Sequence, residues 1–453
     1  MHIDRKTLPA IFAATFLTIA ATVVSVLTPA GGPAAATTAR GAANVATVRP
    51  IVFLHGFFGS GSQLQTQAKR FASNGYPAAS LEANDYDSLF FTNSREQVFA
   101  AVDARIARLK AATGAAQVDL VGHSLGTAMA QEYLNSSAAR AASVAHYANL
   151  DGGTAAALPG GVPTLAVWGE GRGSSAVTGA TNVYLPDQSH VEVTGSEETF
   201  TAMYRFFTGT APATTDVVAQ PGAVRIAGRA VNFPSNTGPT GARLDVYPVN
   251  AATGARTGPA VASQALTGDG SFGPFTGDGA ARYEFAVSKG TETHHFYFEP
   301  FRRTDLLVRL LTNDPGTGAD VLLQRGPGHV TLLAYRNKEW WADQGAASDT
   351  LSVNGTAVLN ATTAARARRA IGLFAFDASG DRRSNVTTAP GLLSVLPFIS
   401  GTDLYVPASP TASGTVVLES RQRGGSQAHR IAFPDFPSDR NVVTANFDDY
   451  EQP

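Results

Sequence analysis

Between residue 50 and about residue 208 the chain alternates short apolar runs with amphipathic stretches, and this alternation narrows the fold more than anything else in the sequence. The apolar runs are Ile51–Leu54, Ala78–Leu81, Val118–Val121, Val144–Leu150, Thr164–Trp168 and Asn182–Leu185. Strands this apolar need cover on both faces, and intervening helices supply it, so a parallel sheet between two helical layers is expected. The clearest helix starts at Ser94, where Gln97 completes a capping box. It places Val98, Val102, Ile106 and Leu109 on one face and stops before Gly114. Two more are expected, over Ser62–Asn74 and Ser196–Phe207, the latter turning Phe200, Met203, Tyr204 and Phe207 inward.

The pattern changes at Gly209-Thr-Ala-Pro-Ala-Thr-Thr-Asp216. Beyond it, short alternating runs such as Arg243–Val249, Tyr283–Val287, His295–Phe298, Leu306–Leu310 and Thr415–Glu419 are punctuated by Gly, Pro and Asp, the pattern of an antiparallel sandwich or barrel. One helical turn is expected at Thr362–Arg369. The fold class is therefore an α/β domain over 50–209, a linker over 210–222, and an all-β domain over 223–453. Residues 1–36 begin with Arg5 and Lys6, continue through the apolar stretch Ile11–Leu27, and end in small residues after Pro29-Ala30-Gly31-Gly32-Pro33. This is the layout of a cleaved export signal, so a secreted protein is expected, with 37–49 as a flexible leader. The alternative is an uncleaved anchor, because the stretch approaches the roughly 20 residues that span a bilayer.

Composition removes several kinds of chemistry. The chain has no cysteine, which excludes disulfides, thiolate metal sites and cysteine nucleophiles. With 34 basic against 36 acidic side chains spread along it, the sequence offers no stripe for a nucleic-acid backbone. His294, His295, His329 and His429 are scattered and read as packing or surface residues, not metal ligands. No metal or organic cofactor is expected.

One motif carries chemistry. Gly122-His123-Ser124-Leu125-Gly126 lies between the strand Gln117–Val121 and the helix Thr127–Leu134. A G-x-S-x-G sequence in a strand–turn–helix context is a nucleophile elbow, which holds Ser124 Oγ exposed at the tip of a sharp turn. His55-Gly56-Phe57-Phe58-Gly59 follows the first strand, where an H-G segment commonly aims a backbone N–H at an acyl oxygen. The oxyanion donors are then the N–H groups of Phe57 and Leu125. The general base is expected after the last strand, which selects His190; His146 falls inside a buried strand. Asp151 and Glu170 both follow strand ends, and spacing alone does not choose between them as the acid. Asp187 is too close to His190 in sequence. Phe58, Phe90 and Phe91 are the aromatic candidates for contact with substrate.

Together these residues resemble the archaeal two-domain lipases, in which an α/β-hydrolase domain is followed by a carboxy-terminal β-barrel. The segments that carry the resemblance are VDLVGHSLGT, YLNSSAARAASVAH, LDGGT, GVPTLAVWG and ATNVYLPDQSHVEVTGSEETF, then GTAPATTDVVAQPG across the boundary. In the second half LDVYP, FEPFRRTDLLVRLL, LPFISGTDLYVPA and VVLESRQRGG continue it. The resemblance spans residues 50–449. It implies that Asp151, in LDGG, is the catalytic acid, and it places Ser124, His190, Phe57 and Leu125 on the family's catalytic positions. One departure is visible: the archaeal relative inserts a long helical lid where this chain has only Asp87–Arg95, DSLFFTNSR. An open, lidless site is expected.

The activity implied is hydrolysis of acyl esters, lipids among them, through a Ser124–His190–Asp151 triad, with the C-terminal domain as a possible contact to lipid surfaces. Two alternatives share part of this pattern. A serine peptidase or amidase has the same triad order, and a secreted binding protein would retain only a vestigial hydrolase domain.

Overall fold

The computed structural model describes residues 48–451; the stretch read as an export signal and nearly all of the expected leader lie outside the described residues. Six strands form one sheet in the order β2-β1-β3-β4-β5-β6: β1 (Ile51–Leu54), β2 (Leu81–Asn84), β3 (Val118–His123), β4 (Val144–Leu150), β5 (Thr164–Trp168) and β6 (Thr181–Tyr184). All pairs are parallel. The helices are α1 (Gln65–Ser73), α2 (Arg95–Thr113), α3 (Leu125–Ser136), α4 (Ala138–Ala142), α5 (Glu192–Gly195) and α6 (Glu197–Thr208). Period-two alternation divides β1 between two cores. Ile51 and Phe53 pack with Phe71, Phe200, Met203 and Phe207, while Val52 and Leu54 pack with Val98, Val102, Ile106 and Tyr133. Ser94 and Gln97 form the capping box of α2, and Gly114 ends it at φ 73°.

The structure moves some boundaries. The strand expected at Ala78–Leu81 begins at Leu81, because Ala78–Ser80 form a 3₁₀ turn after Pro77 and Ser80 N–H donates to the Pro77 carbonyl. The helix expected from Ser62 opens as a 3₁₀ segment, Gly61–Leu64, before α1.

The second half is mostly β-structure. A three-stranded sheet runs β10-β7-β13, from β7 (Ala223–Asn232), β10 (Ser271–Asp278) and β13 (Asp305–Thr312). An eight-stranded sheet runs β18-β17-β14-β21-β12-β11-β8-β9. Its members are β8 (Arg243–Val249), β9 (Ala262–Ala265), β11 (Arg282–Lys289), β12 (Glu292–Phe298), β14 (Leu332–Tyr335), β17 (Gly372–Phe376), β18 (Ile399–Asp403) and β21 (Asn441–Asn446). A four-stranded sheet takes β16-β15-β19-β20, from β15 (Thr350–Val353), β16 (Thr356–Ala357), β19 (Thr415–Arg421) and β20 (Ala428–Pro434). The four-stranded sheet is antiparallel, whereas the other two are mixed. β7 with β13, β21 with both β12 and β14, and β17 with β18 are parallel. Their partners are joined by long connections, which parallel pairing requires.

The seam between the halves is polar and buried. Asp85, just past β2, receives Arg229 from β7 at 2.7 Å and Arg309 from β13 at 2.9 Å, and its Oδ1 accepts the Gly61 N–H at 2.7 Å. Arg229 and Arg309 are register partners on adjacent strands, so their like charges need the carboxylate between them. A Cβ on Gly61 would lie 2.7 Å from Arg309 Nη2, which explains a residue without a side chain there. On α1, Thr66 donates to Asp449 and Lys69 lies 3.5 Å from both Asp305 and Asp448. The stretch read as a linker is hydrogen-bonded along its course. Asn74 bonds the backbone of residues 213 and 214, Arg70 donates to the Thr215 carbonyl, and Val217 is buried.

Burial opposes ionisation of Asp85, but Arg309 and Arg229 outweigh it and hold the carboxyl well below the usual carboxylate range. Replacing Asp85 with Ala strips the buried Arg309 and the half-buried Arg229 of their shared carboxylate and is expected to cost about 3–5 kcal/mol in denaturant unfolding. The depressed value fixes the sign of the pH dependence. Asp85's contribution is complete above the ordinary carboxylate pKa and is lost as pH falls below it toward the folded value. Asp85→Ala should therefore flatten the acid limb of stability against pH.

Candidate active site

Ser124 joins β3 to α3 at φ 53° and ψ −119°, a conformation that a non-glycine residue adopts only when its surroundings enforce it. Enforcement comes from close backbone crossings. A Cβ on Gly122 would sit 2.6 Å from the Gly126 carbonyl oxygen, and one on Gly126 would sit 2.3 Å from that of Leu54. Both positions therefore require glycine. Ser124 N–H donates to the Leu150 carbonyl at 3.0 Å, tying the turn to the end of β4.

Asp151 follows β4, also at positive φ (46°). Its carboxylate is divided between two donors. Oδ1 accepts the Gly169 N–H at 2.8 Å and Oδ2 accepts His190 Nδ1–H at 2.6 Å. Burial would raise this carboxyl, but the bonds from His190 and Gly169 prevail and keep it below its ordinary value. Glu170 turns elsewhere and pairs with Arg366 at 2.9 Å. The structure thus brings Asp151, not Glu170, to His190. With Nδ1 donating, Nε2 is the imidazole nitrogen left to exchange a proton. Ser124 Oγ makes no hydrogen bond to His190 among the described residues, a looseness common before substrate binds.

His123, inside the motif, anchors this arrangement. Burial and the neighbouring His190 push its pKa down to about 3, so the ring is neutral and its Nε2–H donates to the His190 carbonyl at 2.9 Å. The two rings lie 4.7 Å apart. The His55–Gly59 loop presses on the elbow, since a Cβ on Gly56 would be 2.9 Å from that of Ser124. Gly56 N–H is held by Gln63 Oε1 at 2.8 Å and Phe58 N–H by Ser88 Oγ at 3.0 Å. The N–H groups of Phe57 and Leu125 donate to nothing among the described residues. His55 Nδ1–H donates to the Gly56 carbonyl, and its Nε2 accepts the Tyr86 N–H.

The aromatic candidates go to different places. Phe58 stacks on Phe57 (4.1 Å) and meets Phe233 of the β half at 5.6 Å. Phe90 packs against Tyr86 and beneath the Arg95 guanidinium, at the margin of the α2 core, while Phe91 is 65% exposed. The loop after β2 is organised by Asp87, whose carboxylate accepts the N–H groups of Leu89, Phe91 and Thr92, each at 2.9 Å.

Some supporting residues had no local signal in the sequence. Asn236, from the β half, donates to the Gly59 and Tyr86 carbonyls at 2.9 Å each and so braces the His55–Gly59 loop. Phe233 lines an apolar cavity in the β half together with Val287, Leu311, Leu333, Phe374 and Ile399. Phe398, next to Ile399, faces the His190 ring at 6.3 Å.

A family model of Lipase (class 2) matches residues 48–147, one of the Lipase C-terminal domain matches 222–315, and a further C-terminal-domain model matches 318–451. No curated protein matches in sequence. Among solved structures, the chain is similar to the lin2722 gene product of Listeria innocua at 13% identity, covering 37% of this chain and 96% of that one, with TM-score 0.27. It is similar to a predicted CIB-like hydrolase of Thermoplasma acidophilum at 14% identity, covering 36% and 89%, also with TM-score 0.27. Phospholipase PlaB of Legionella pneumophila is similar at 8% identity over 88% of this chain and 93% of that one, with TM-score 0.22. The α/β half is thus matched over residues 48–147 as a class 2 lipase and the β-structured half over 222–315 as a lipase C-terminal domain, the layout of a two-domain lipase.

Proposed function

We propose that this lipase-family hydrolase cleaves carboxylic esters through an acyl-enzyme formed on Ser124. The observation that carries the reading is the buried Asp151–His190 pair beside a strained serine turn with two unengaged N–H groups. His190 Nε2 takes the Ser124 proton as Oγ attacks the ester carbonyl. Phe57 and Leu125 N–H groups receive the oxyanion, and His190 returns the proton to the leaving alcohol. Water then attacks the acyl-enzyme by the same route and releases the acid. Asp151 fixes the imidazole tautomer and balances the imidazolium.

The substrate class proposed is acyl-ester lipid. Support comes from the aromatic contact of Phe58 with Phe233, which leads from the oxyanion loop toward the apolar cavity of the β half. A lipid-surface contact through that half is part of the proposal. Val321, 56% exposed, lies on the 3₁₀ turn Gly318–Leu322, whose Ala319 and Asp320 line the same cavity. Secretion after removal of residues 1–36 completes the reading.

Ser124→Ala is expected to lower kcat on p-nitrophenyl esters by about 10⁴ or more while the fold is retained. Asp151→Asn should cost about 10⁴, whereas Glu170→Gln leaves kcat close to wild type; the opposite order would reassign the acid. Phe233→Ala is expected to reduce kcat/KM for the palmitate ester more than for the acetate ester. An unchanged ratio would remove the cavity from the acyl path.

A further inference from the structure

The segment bearing His190 is held from the other half of the molecule. Glu339, in the loop after β14, has a fully buried side chain. Its Oε1 accepts the Val191 N–H at 2.6 Å, and its Oε2 accepts the Glu192 N–H at 3.0 Å and the Ser189 hydroxyl at 2.5 Å. The three donors flank His190 on both sides. A carboxylate out of water is costly unless its lone pairs are filled, and here the donors that fill them are those of the histidine segment.

Glu339 is itself fixed. Arg336 and Arg423 donate to its backbone carbonyl at 2.7 and 2.5 Å, and both guanidinium groups bridge to the buried Asp349 at 2.8 and 2.9 Å. Arg423 and Lys338 also grip Glu192, at 2.5 and 3.1 Å. The His190 carbonyl is meanwhile held by His123, and the His190 ring by Asp151.

From this geometry we propose that Glu339 is a positioning residue for His190, so that the C-terminal half supplies part of what makes the catalytic base work. The inference rests on the triad reading above. Backbone rotation at residues 189–192 swings the imidazole as a lever, and Glu339 removes that freedom by binding the segment at three points. A base displaced by about 1 Å loses about 10²-fold in rate.

The test uses the full chain with p-nitrophenyl acetate, a soluble ester that places little demand on acyl binding. Glu339→Gln keeps the shape but sets an amide N–H₂ against a backbone or hydroxyl donor. It is expected to lower kcat by about 10–100-fold with KM within about threefold. The low-field proton resonance of the His190–Asp151 hydrogen bond, assigned by its absence in His190→Ala, should weaken or shift in the same variant. Ser189→Ala removes one of the three donors and should lower kcat by less. If Glu339→Gln fails to fold, Ser189→Ala decides through the same two readouts. Wild-type kcat with an unchanged low-field resonance would overturn the proposal, as would a loss of kcat that follows a lowered unfolding midpoint while the resonance stays intact. Turnover surviving Ser124→Ala would instead remove the triad reading, whatever Glu339 does.

Discussion

Carboxylates withdrawn from water at the seam between the two halves set the terms for the rest of the molecule. Asp85 sits between two guanidinium groups that come from the opposite half, and Asp449, after β21, accepts from Thr66 of α1. A charge desolvated in this way is tolerable only with its partners in place, so each half stabilises groups that the other cannot leave exposed to an apolar surface. The residues joining the halves run pinned against α1 and act less as a tether than as one more strip of the interface. The two-domain layout legible in the sequence is therefore one of architecture, and the buried polar contacts join the two halves into one packed body.

The geometry of the candidate site depends on backbone strain at two strand ends. Ser124 and Asp151, after adjacent strands β3 and β4, both hold positive φ, and a hydrogen bond from Ser124 N–H to Leu150 couples their turns. Such conformations persist when neighbours leave no alternative, and here Gly122, Gly126 and Gly152 let the backbones approach closely enough to enforce them. Thr127 Oγ1 would lie 1.9 Å from a Cβ on Gly152, so the LDGG segment also needs its glycine. The Asp87 carboxylate likewise shapes Leu89–Thr92 into a short self-bonded loop.

The parts of this arrangement that local chemistry dictates were readable in the sequence. Ser94 with Gln97, and Gly114 beyond, marked both ends of α2, and the spacing of Val98, Val102, Ile106 and Leu109 marked its buried face. The elbow was readable because its strand, turn and helix are contiguous. Asp151 and Glu170 were indistinguishable by spacing because each follows a strand end. What separates them is three-dimensional: the Gly169 N–H and His190 converge on Asp151, while Arg366 from the other half draws Glu170 away. Strand direction in the β half was also hidden, since alternation has the same period whether a neighbour runs parallel or antiparallel. Asn236 and Glu339 gave no sign at all, because their partners lie far away in sequence and neither sits in a motif.

The placement of β21 bears on how such a chain comes to be folded. It lies between β12 and β14 and parallel to both, although it comes far later in the chain than either. The eight-stranded sheet is therefore closed in its middle by a strand made after all its other members, and its central contacts are among the slowest kind to form. A polypeptide halted before Asn441 has two strands with facing, unfilled edges, each a template for any exposed strand nearby. Pairing with other chains is the expected outcome, so a shortened version of this protein is expected to aggregate.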